Sequence, residues 1–214
     1  MSLTPIQTID LCPVCERQNT FLGKACSICK LKHKKIFLDG LIVASFYDHP
    51  VIKEAVHFLK YRFVRNISIS LSKILYKKLI FEDYRYFRKF TISTVPLHPE
   101  RKEWRGFNQS ELLAQDLVKL FRKRKNINFK LLPDLLQRIH NSLPQMKIND
   151  KELRTQNVKK AFVVNKKYLT NLPEKVILID DVATTGSTLN ECAKALKKKG
   201  VKKVWGLVVA RQKI

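Results

Sequence analysis

Glycine is scarce in this chain. There are six in 214 residues, and they never fall into G-x-G-x-x-G; no G-x-x-x-x-G-K-[ST] occurs either. The two familiar glycine-built phosphate cradles are therefore excluded. Long apolar runs are missing too. The longest is the short piece at residues 205–210, far below the roughly 20 residues of a membrane-spanning helix. The opening Met-Ser-Leu-Thr-Pro-Ile-Gln has no basic region followed by an apolar one, which argues against a secretory signal. A soluble, cytoplasmic chain is expected, not an integral membrane protein. No internal repeat, low-complexity tract or helix-turn-helix pattern is evident. Acidic residues are also few, 18 against 42 lysines and arginines, for a formal net charge of +24. Such an excess favours polyanionic partners, nucleic acid first and anionic membrane second.

What is present reads as globular: 45% hydrophobic and 28% charged residues, enough for one moderate domain and a small module. The small module is written in cysteine. Cys12-Pro-Val-Cys15 and Cys26-Ser-Ile-Cys29 are two C-x-x-C knuckles with ten residues between them. In a reducing compartment such pairs point to metal and not to disulfides. Four thiolates suit tetrahedral Zn2+ in a closed, structural site, and the metal would supply much of the folding energy of so small a unit. His33 stands beside Lys32 and Lys34 and reads as a surface residue. The boundary falls near residues 35–39, giving a zinc module at 1–37 and a second domain at 38–214.

Basic clusters occur at residues 30–35, 122–125, 159–160, 166–167 and 197–203. Aromatic residues lie among basic ones at Tyr61-Arg62-Phe63 and Tyr84-Arg85-Tyr86-Phe87-Arg88. That mixture can stack unpaired bases while following a phosphate backbone.

The most informative stretch is Val176-Ile-Leu-Ile-Asp-Asp-Val-Ala-Thr-Thr-Gly-Ser-Thr188. Four apolar residues without alternation predict a strand buried on both faces. Asp180 and Asp181 then stand at its carboxyl end, where open α/β sheets bind ligands. The hydroxyl-rich residues that follow lead into a helix expected at 189–199. Free N–H groups and the positive dipole end at a helix start attract phosphate. Gly186 permits a backbone shape or a close approach that a side chain would hinder. The helix should bury Leu189, Cys192, Ala193 and Leu196 and end at Gly200. Adjacent carboxylates suit two neighbouring ribose hydroxyls, directly or through magnesium-bound water. The residues alone thus suggest a phosphorylated ribose with Mg2+.

Elsewhere a strand is expected at 38–46. Helices are expected at 50–60, with Val51, Ala55, Val56 and Leu59 inward, and at 67–79, with Leu71, Ile74, Leu75 and Leu79 on one face. Residues 90–95 are β-prone and lead into Pro96-Leu97-His98-Pro99, whose two prolines imply an extended loop. A helix is expected at 111–121, and strands at 131–139, interrupted early by Pro133, and at 161–164 and 204–209. Residues 140–160 read as a long loop of the kind that serves as a lid. The alternation implies an α/β fold with a mostly parallel sheet flanked by helices.

The 176–188 run resembles the phosphoribosyl pyrophosphate (PRPP) motif of type I phosphoribosyltransferases. The resemblance implies that Asp180 and Asp181 hold the ribose hydroxyls, and that Ala183, Thr184, Thr185, Gly186, Ser187 and Thr188 hold the 5′-phosphate. Residues 93–109, Ser-Thr-Val-Pro-Leu-His-Pro-Glu-Arg-Lys-Glu-Trp-Arg-Gly-Phe-Asn-Gln, resemble the signature of the ComF family of competence proteins. Arg138, Gln145, Arg154, Asn157 and Ala161-Phe162 follow at that family's spacing, and the four-cysteine module matches as well. Ser187 replaces a commoner alanine conservatively. The resemblance implies a zinc finger joined to a type I phosphoribosyltransferase-like domain. In such a domain the loop after the first strand contacts pyrophosphate. Arg101 and Arg105, with Asn108, would reach that pocket, and Arg154 would close over it. His98 and His140 read as structural or exposed.

Two functions follow from the resemblance. One is DNA handling in natural transformation: single-stranded DNA bound at the cytoplasmic side of the inner membrane, with PRPP-Mg or a related ligand in the pocket. A competence helicase or inner-membrane DNA channel would be the partner. The other is a phosphoribosyltransferase acting on a nitrogenous acceptor. Asp180 and Asp181 would then support an oxocarbenium-like state while cations hold the leaving pyrophosphate. No base-specificity hood is recognisable. The charge favours DNA handling.

Overall fold

The computed structural model describes Cys12, Gly23, Lys24, Cys26, Ser27, Cys29, and residues 36–139 and 161–212. The expected loop at 140–160, with His140, Gln145, Arg154 and Asn157, lies outside the described residues, as do Cys15 and His33.

Four strands form the main sheet: β1 (Gly40–Phe46), β2 (Thr91–Thr94), β5 (Lys175–Ala183) and β6 (Lys203–Arg211). Their order is β1-β6-β5-β2 and every pairing is parallel. Leu131 adds one parallel bridge to Ile92 at the β2 edge. Two short strands, β3 (Leu136–Arg138) and β4 (Phe162–Val164), pair antiparallel as a separate ribbon. Residues 131–139 are thus not one strand. Leu131 joins the main sheet, and only Leu136–Arg138 joins the ribbon, with Pro133 between them.

The helices are α1 (Pro50–Tyr61), α2 (Ile67–Phe81), α3 (Tyr84–Phe87), α4 (Pro99–Arg105), α5 (Gln109–Lys125) and α6 (Ser187–Lys197). Successive strand residues point to opposite sheet faces, and β5 and β6 are apolar on both. Ile177, Ile179, Trp205 and Leu207 enter a core with Val56 and Leu59 of α1, Leu71 and Leu75 of α2, and Leu113 and Leu117 of α5. Val176, Leu178, Val204 and Val208 face the other way, onto Leu189, Cys192, Ala193 and Leu196 of α6 and onto Leu136, Phe162 and Val164 of the ribbon. Truncating any of these leucines to alanine is expected to cost about 2–5 kcal/mol.

The expected apolar face of α6 is therefore the observed one. The helix ends at Lys197, two residues earlier than expected, and a turn then reaches Gly200: Val201 N–H bonds the Leu196 carbonyl and Gly200 N–H bonds that of Lys197. On α1 the inward face is Ile52, Val56 and Leu59, whereas Val51 is exposed.

The connections place the site. From β2 the chain continues to α5, which packs on the first core. From β5 it continues to α6, which packs on the second. The two connections part on opposite faces of neighbouring parallel strands, which opens a crevice at their carboxyl ends. At the other end of the chain, the cysteine segment is tied to β1. Lys24 bridges Gly40, and Leu41 N–H donates to the Gly23 carbonyl at 3.0 Å. Gly23 has φ +61, and a Cβ there would stand 2.1 Å from the Leu41 carbonyl oxygen, so the approach requires glycine.

Candidate functional site

β5 runs through the acid pair and ends three residues beyond Asp180, at Ala183. Its last residues stay paired with β6, Val182 opposite Ala210 and Ala183 opposite Arg211. Asp180 and Asp181 are therefore held by a ladder and not by a loop. Both are buried, at 9% and 2% exposure. Buried carboxylates need partners, and the two take different ones. Asp180 Oδ1 accepts from Ser110 Oγ at 2.9 Å and from the Asp181 N–H at 2.9 Å. Asp181 Oδ1 accepts from the Val182 N–H at 2.7 Å, and its Oδ2 is 2.9 Å from Lys60 Nζ.

Burial raises the Asp180 carboxyl to about 7, and the neighbouring Asp181 charge adds to the rise; Lys60 and the Ser110 hydrogen bond oppose it. Burial alone would lower the Lys60 ammonium, but Asp181 and Asp180 outweigh it and hold the amine above its ordinary range. The site is thus two carboxylates with one built-in ammonium.

The hydroxyl-rich turn follows directly. Thr184, Thr185, Gly186, Ser187 and Thr188 are all half-buried, and Ala183 is buried. Gly186 caps α6 in the left-handed region at φ 73, where a side chain would be strained. Thr185 Oγ1 and Ser187 Oγ are 2.6 Å apart, and the Ser187 N–H reaches Thr185 Oγ1 at 3.3 Å. α6 starts at Ser187, two residues earlier than expected. Ser187 and Thr188 therefore belong to its first turn, where backbone N–H groups have no helical acceptor.

Across the crevice, β2 runs into residues 95–98, and the Val95 N–H bonds the Ile179 carbonyl at 3.0 Å. Arg101 and Arg105 lie on α4 and not on an extended loop. Pro99 occupies the first turn of that helix and Gly106 its C-cap. Arg105 Nη1 donates to Gln109 Oε1 at 2.6 Å, while its buried Nε has no hydrogen-bond partner among the described residues. Burial lowers the Arg105 guanidinium, and the Asp181 charge opposes the fall. Arg138, at the end of β3, is lowered too, by burial first and then by Arg101, with Cys192 and Asp180 opposing. Arg101, Arg105 and Arg138 thus share the electrostatic neighbourhood of the acid pair.

Asn108 has a different place from the one expected. Its Oδ1 caps α5 at the Ser110 N–H, 3.0 Å away, and its Nδ2 donates to the Val95 carbonyl at 3.1 Å. Both ends of the amide hold the fold together. His98 occupies the N-cap position of α4 without a side-chain capping bond and stands 3.7 Å from Glu100. Cys192 is fully buried, and burial, then Asp180, pushes its thiol well up, so it is an inert core residue.

Lys60 and Ser110 are the site residues that sequence reasoning passed over. Each lies far along the chain from its carboxylate. The only local hint for Lys60 is its position beside Leu59, at the edge of the inward face of α1.

The cysteine segment offers a second site. The sulfurs of Cys12, Cys26 and Cys29 all lie within 4.8 Å of one another. Tetrahedral zinc thiolates stand about 3.8 Å apart, as follows from Zn–S bonds near 2.3 Å. The Cys26 N–H points to Cys12 Sγ and the Cys29 N–H to Cys26 Sγ, each at 3.4 Å. Such bonds temper thiolate charge, and the cluster is compatible with a structural zinc.

Among the described residues, no helix is long and apolar enough to cross a membrane. A family model described as "Phosphoribosyl transferase domain" matches residues 131–213. The chain is 30% identical over 213 residues to Competence protein F of Haemophilus influenzae, covering 96% of this chain and 87% of that one. It is 29% identical over 196 residues to Competence protein ComFC of Streptococcus pneumoniae, covering 90% and 77%. It is also 29% identical over 206 residues to DNA utilization protein YhgH of Escherichia coli strain K12, covering 92% and 83%.

Proposed function

The chain belongs to the ComF family of competence proteins, and we propose that it handles single-stranded DNA in natural transformation while binding PRPP-Mg, or a related phosphorylated ribose, in the β5 crevice. The relatives named for competence and for DNA utilization support a competence role. One observation carries the ligand reading. A buried acid pair at the carboxyl end of a parallel strand is followed immediately by the hydroxyl-rich first turn of α6. In this reading Asp180 and Asp181 accept from the ribose hydroxyls or from magnesium-bound water. Ala183, Thr184, Thr185, Gly186, Ser187 and Thr188 surround the 5′-phosphate. Arg101 and Arg105 meet the pyrophosphate, and the buried Nε of Arg105 supports this because it is a donor without an acceptor among the described residues.

Cys12, Cys15, Cys26 and Cys29 would hold a structural Zn2+ in a module spanning 1–37, joined to a phosphoribosyltransferase-like domain spanning 38–214. The net charge of +24 supports the DNA reading. A site in the cytoplasm at the inner membrane, beside a competence helicase or DNA channel, belongs to the same proposal.

A second reading, phosphoribosyl transfer to a nitrogenous acceptor, is favoured by the acid pair itself. Two ionisable carboxylates beside cations can stabilise positive charge at the ribose while pyrophosphate leaves. The first reading is tested by fluorescence anisotropy of labelled single-stranded DNA and matched duplex across a salt series, with and without Mg-PRPP. Affinity that falls with salt, prefers single strands and responds to Mg-PRPP supports it. Weak binding, equal for both DNA forms and indifferent to PRPP, removes it. Pyrophosphate release in the presence of candidate bases would then decide the second.

A further inference from the structure

The acid pair has an aromatic neighbour that the pocket itself does not use. Tyr61, Phe63 and Trp104 are 36%, 40% and 65% exposed, a large amount of aromatic surface to leave in water. They come from two segments, the end of α1 with its continuation and α4; Phe63 and Trp104 meet, while the Tyr61 ring lies 4.9 Å from that of His57, one turn back on α1. The Phe63 and Trp104 rings stand 5.3 Å apart, edge to face, and Phe63 is 6.5 Å from the buried Phe107.

Core packing does not explain Phe63. Its φ is +55, a region that bulky residues rarely enter and that costs of order 1 kcal/mol or more. The residue that carries this strain leaves its ring 40% exposed, against Trp104 and Phe107. Basic groups frame the rings. Arg62, Arg65 and Lys102 are exposed, with Glu100 and Glu103 of α4 and the Lys102 partner Glu111 as the nearby acids. Arg65 is itself positioned, with its guanidinium 5.1 Å over Phe107 and an Nη2 bond to the Gly106 carbonyl at 3.1 Å.

The patch also adjoins the crevice. Lys60, bonded to Asp181, precedes Tyr61; Arg105, which senses Asp181 and Tyr61, follows Trp104. Exposed rings between cations fit a ligand that has flat π-faces and regularly spaced negative charge. A single-stranded nucleic acid has both, whereas a duplex hides its bases in the stack.

We infer that Tyr61, Phe63 and Trp104 form a base-stacking platform for single-stranded DNA at the mouth of the acid-pair crevice, with Arg62, Arg65 and Lys102 along its phosphates. The inference rests on the single-strand reading above and names the surface that would carry it.

The chain has two tryptophans, and Trp205 is 1% exposed, so a ligand that stacks on the surface quenches Trp104. The probes are an oligothymidylate, an abasic oligomer of equal length, and anionic phosphatidylglycerol vesicles. The expected result is saturable quenching by oligothymidylate, with much weaker binding of the abasic oligomer. Trp104→Ala and Phe63→Asn are each expected to lose roughly ten-fold or more in affinity, read by anisotropy of a labelled oligothymidylate because the first variant lacks the quenched ring. Asparagine tolerates the left-handed region, so Phe63→Asn should melt at or above the native temperature while it loses affinity. A purely structural role for Phe63 would not produce that combination. Native-like oligothymidylate affinity in both folded variants overturns the platform while leaving the single-strand reading intact. So does equal binding of the abasic oligomer. Quenching by vesicles and not by oligothymidylate overturns it in favour of a membrane surface. Absence of oligothymidylate binding by the native chain removes the single-strand reading itself.

Discussion

The Lys60 ammonium lies 2.9 Å from Asp181 Oδ2 and ties the end of α1 to the end of β5. The contact places a cation where a magnesium-bound ligand would bring its own. In the free protein it partly compensates two buried acids.

Lys60→Met should therefore destabilise the chain. Removing one partner of a buried pair leaves an uncompensated charge, and with Lys60 still 23% exposed the loss should be near or below the low end of the usual range, about 2–3 kcal/mol. Lys60 has its pKa raised in the fold, so its contribution is full below the ordinary lysine value and is lost only as pH rises through the raised one. Urea denaturation of both proteins at pH 8 measures the difference. Equal midpoints and slopes would show that Lys60 contributes nothing to the acid pair.

Asp180 gives a pH dependence of the same sign in a lower pH range. Its carboxyl is raised to about 7, so the folded chain holds a proton that the unfolded chain releases near the ordinary carboxylate value. The stability associated with that proton is complete below about pH 4 and is lost as pH rises towards 7. Asp180→Asn should flatten this slope, because the amide oxygen can still accept from Ser110 while carrying no charge. Thermal melts from pH 4 to 8 test it; a parallel slope in the variant would assign the dependence elsewhere. The double variant Asp180→Asn/Asp181→Asn should fold and fail to bind Mg-PRPP in calorimetry. Native binding should strengthen between pH 6 and 8 as Asp180 ionises. Unchanged affinity in the double variant would remove both residues from the ligand site.

What was legible in the sequence was local. The apolar run of β5, the acid pair and the α6 face of Leu189, Cys192, Ala193 and Leu196 are periodic or contiguous signals, and the fold keeps them. What escaped depended on context. α4 was hidden because two prolines suggest an extended loop, yet Pro99 sits in a first helical turn, where a missing N–H costs nothing. Val51 and Ile52 exchanged roles because the helix phase is fixed by packing on β1 and α2, not by the ends of the pattern. Ser110 reads as an ordinary helix-start serine until tertiary structure brings it to Asp180. No periodicity encodes a partner that distant.

The cysteine segment gives a prediction about coupling. Cys12→Ser with Cys26→Ser should release zinc, measured by metal analysis, and should lower the melting temperature. The effect should extend beyond the first segment, because Gly23 accepts from Leu41 and Lys24 bridges Gly40 on β1, the last strand in the sheet order. Hydrogen exchange at the Leu41 amide reports this directly: protection should fall in the variant and on chelation. A native protein without zinc would end the metal reading, and unchanged Leu41 protection in zinc-free protein would uncouple the segment from the sheet.

Asn108 should prove more important to the pocket than a capping residue usually is. Its amide joins the end of β2 to the first turn of α5, and Ser110 in that turn holds Asp180. Asn108→Ala removes the cap and leaves the Val95 carbonyl buried without its donor, a loss of about 1–3 kcal/mol. Asn108→Ser restores the cap but cannot replace the amide bond to Val95, so its stability should fall between the two. Ligand affinity should follow the same order, because the Ser110 hydroxyl reaches Asp180 only while that turn is held. Calorimetric affinity for Mg-PRPP, set beside urea stability for the three proteins, tests the link. If stability followed the order and affinity did not, Asn108 would be a helix cap alone, and the position of Ser110 would be set by the packing of Leu113 and Leu117.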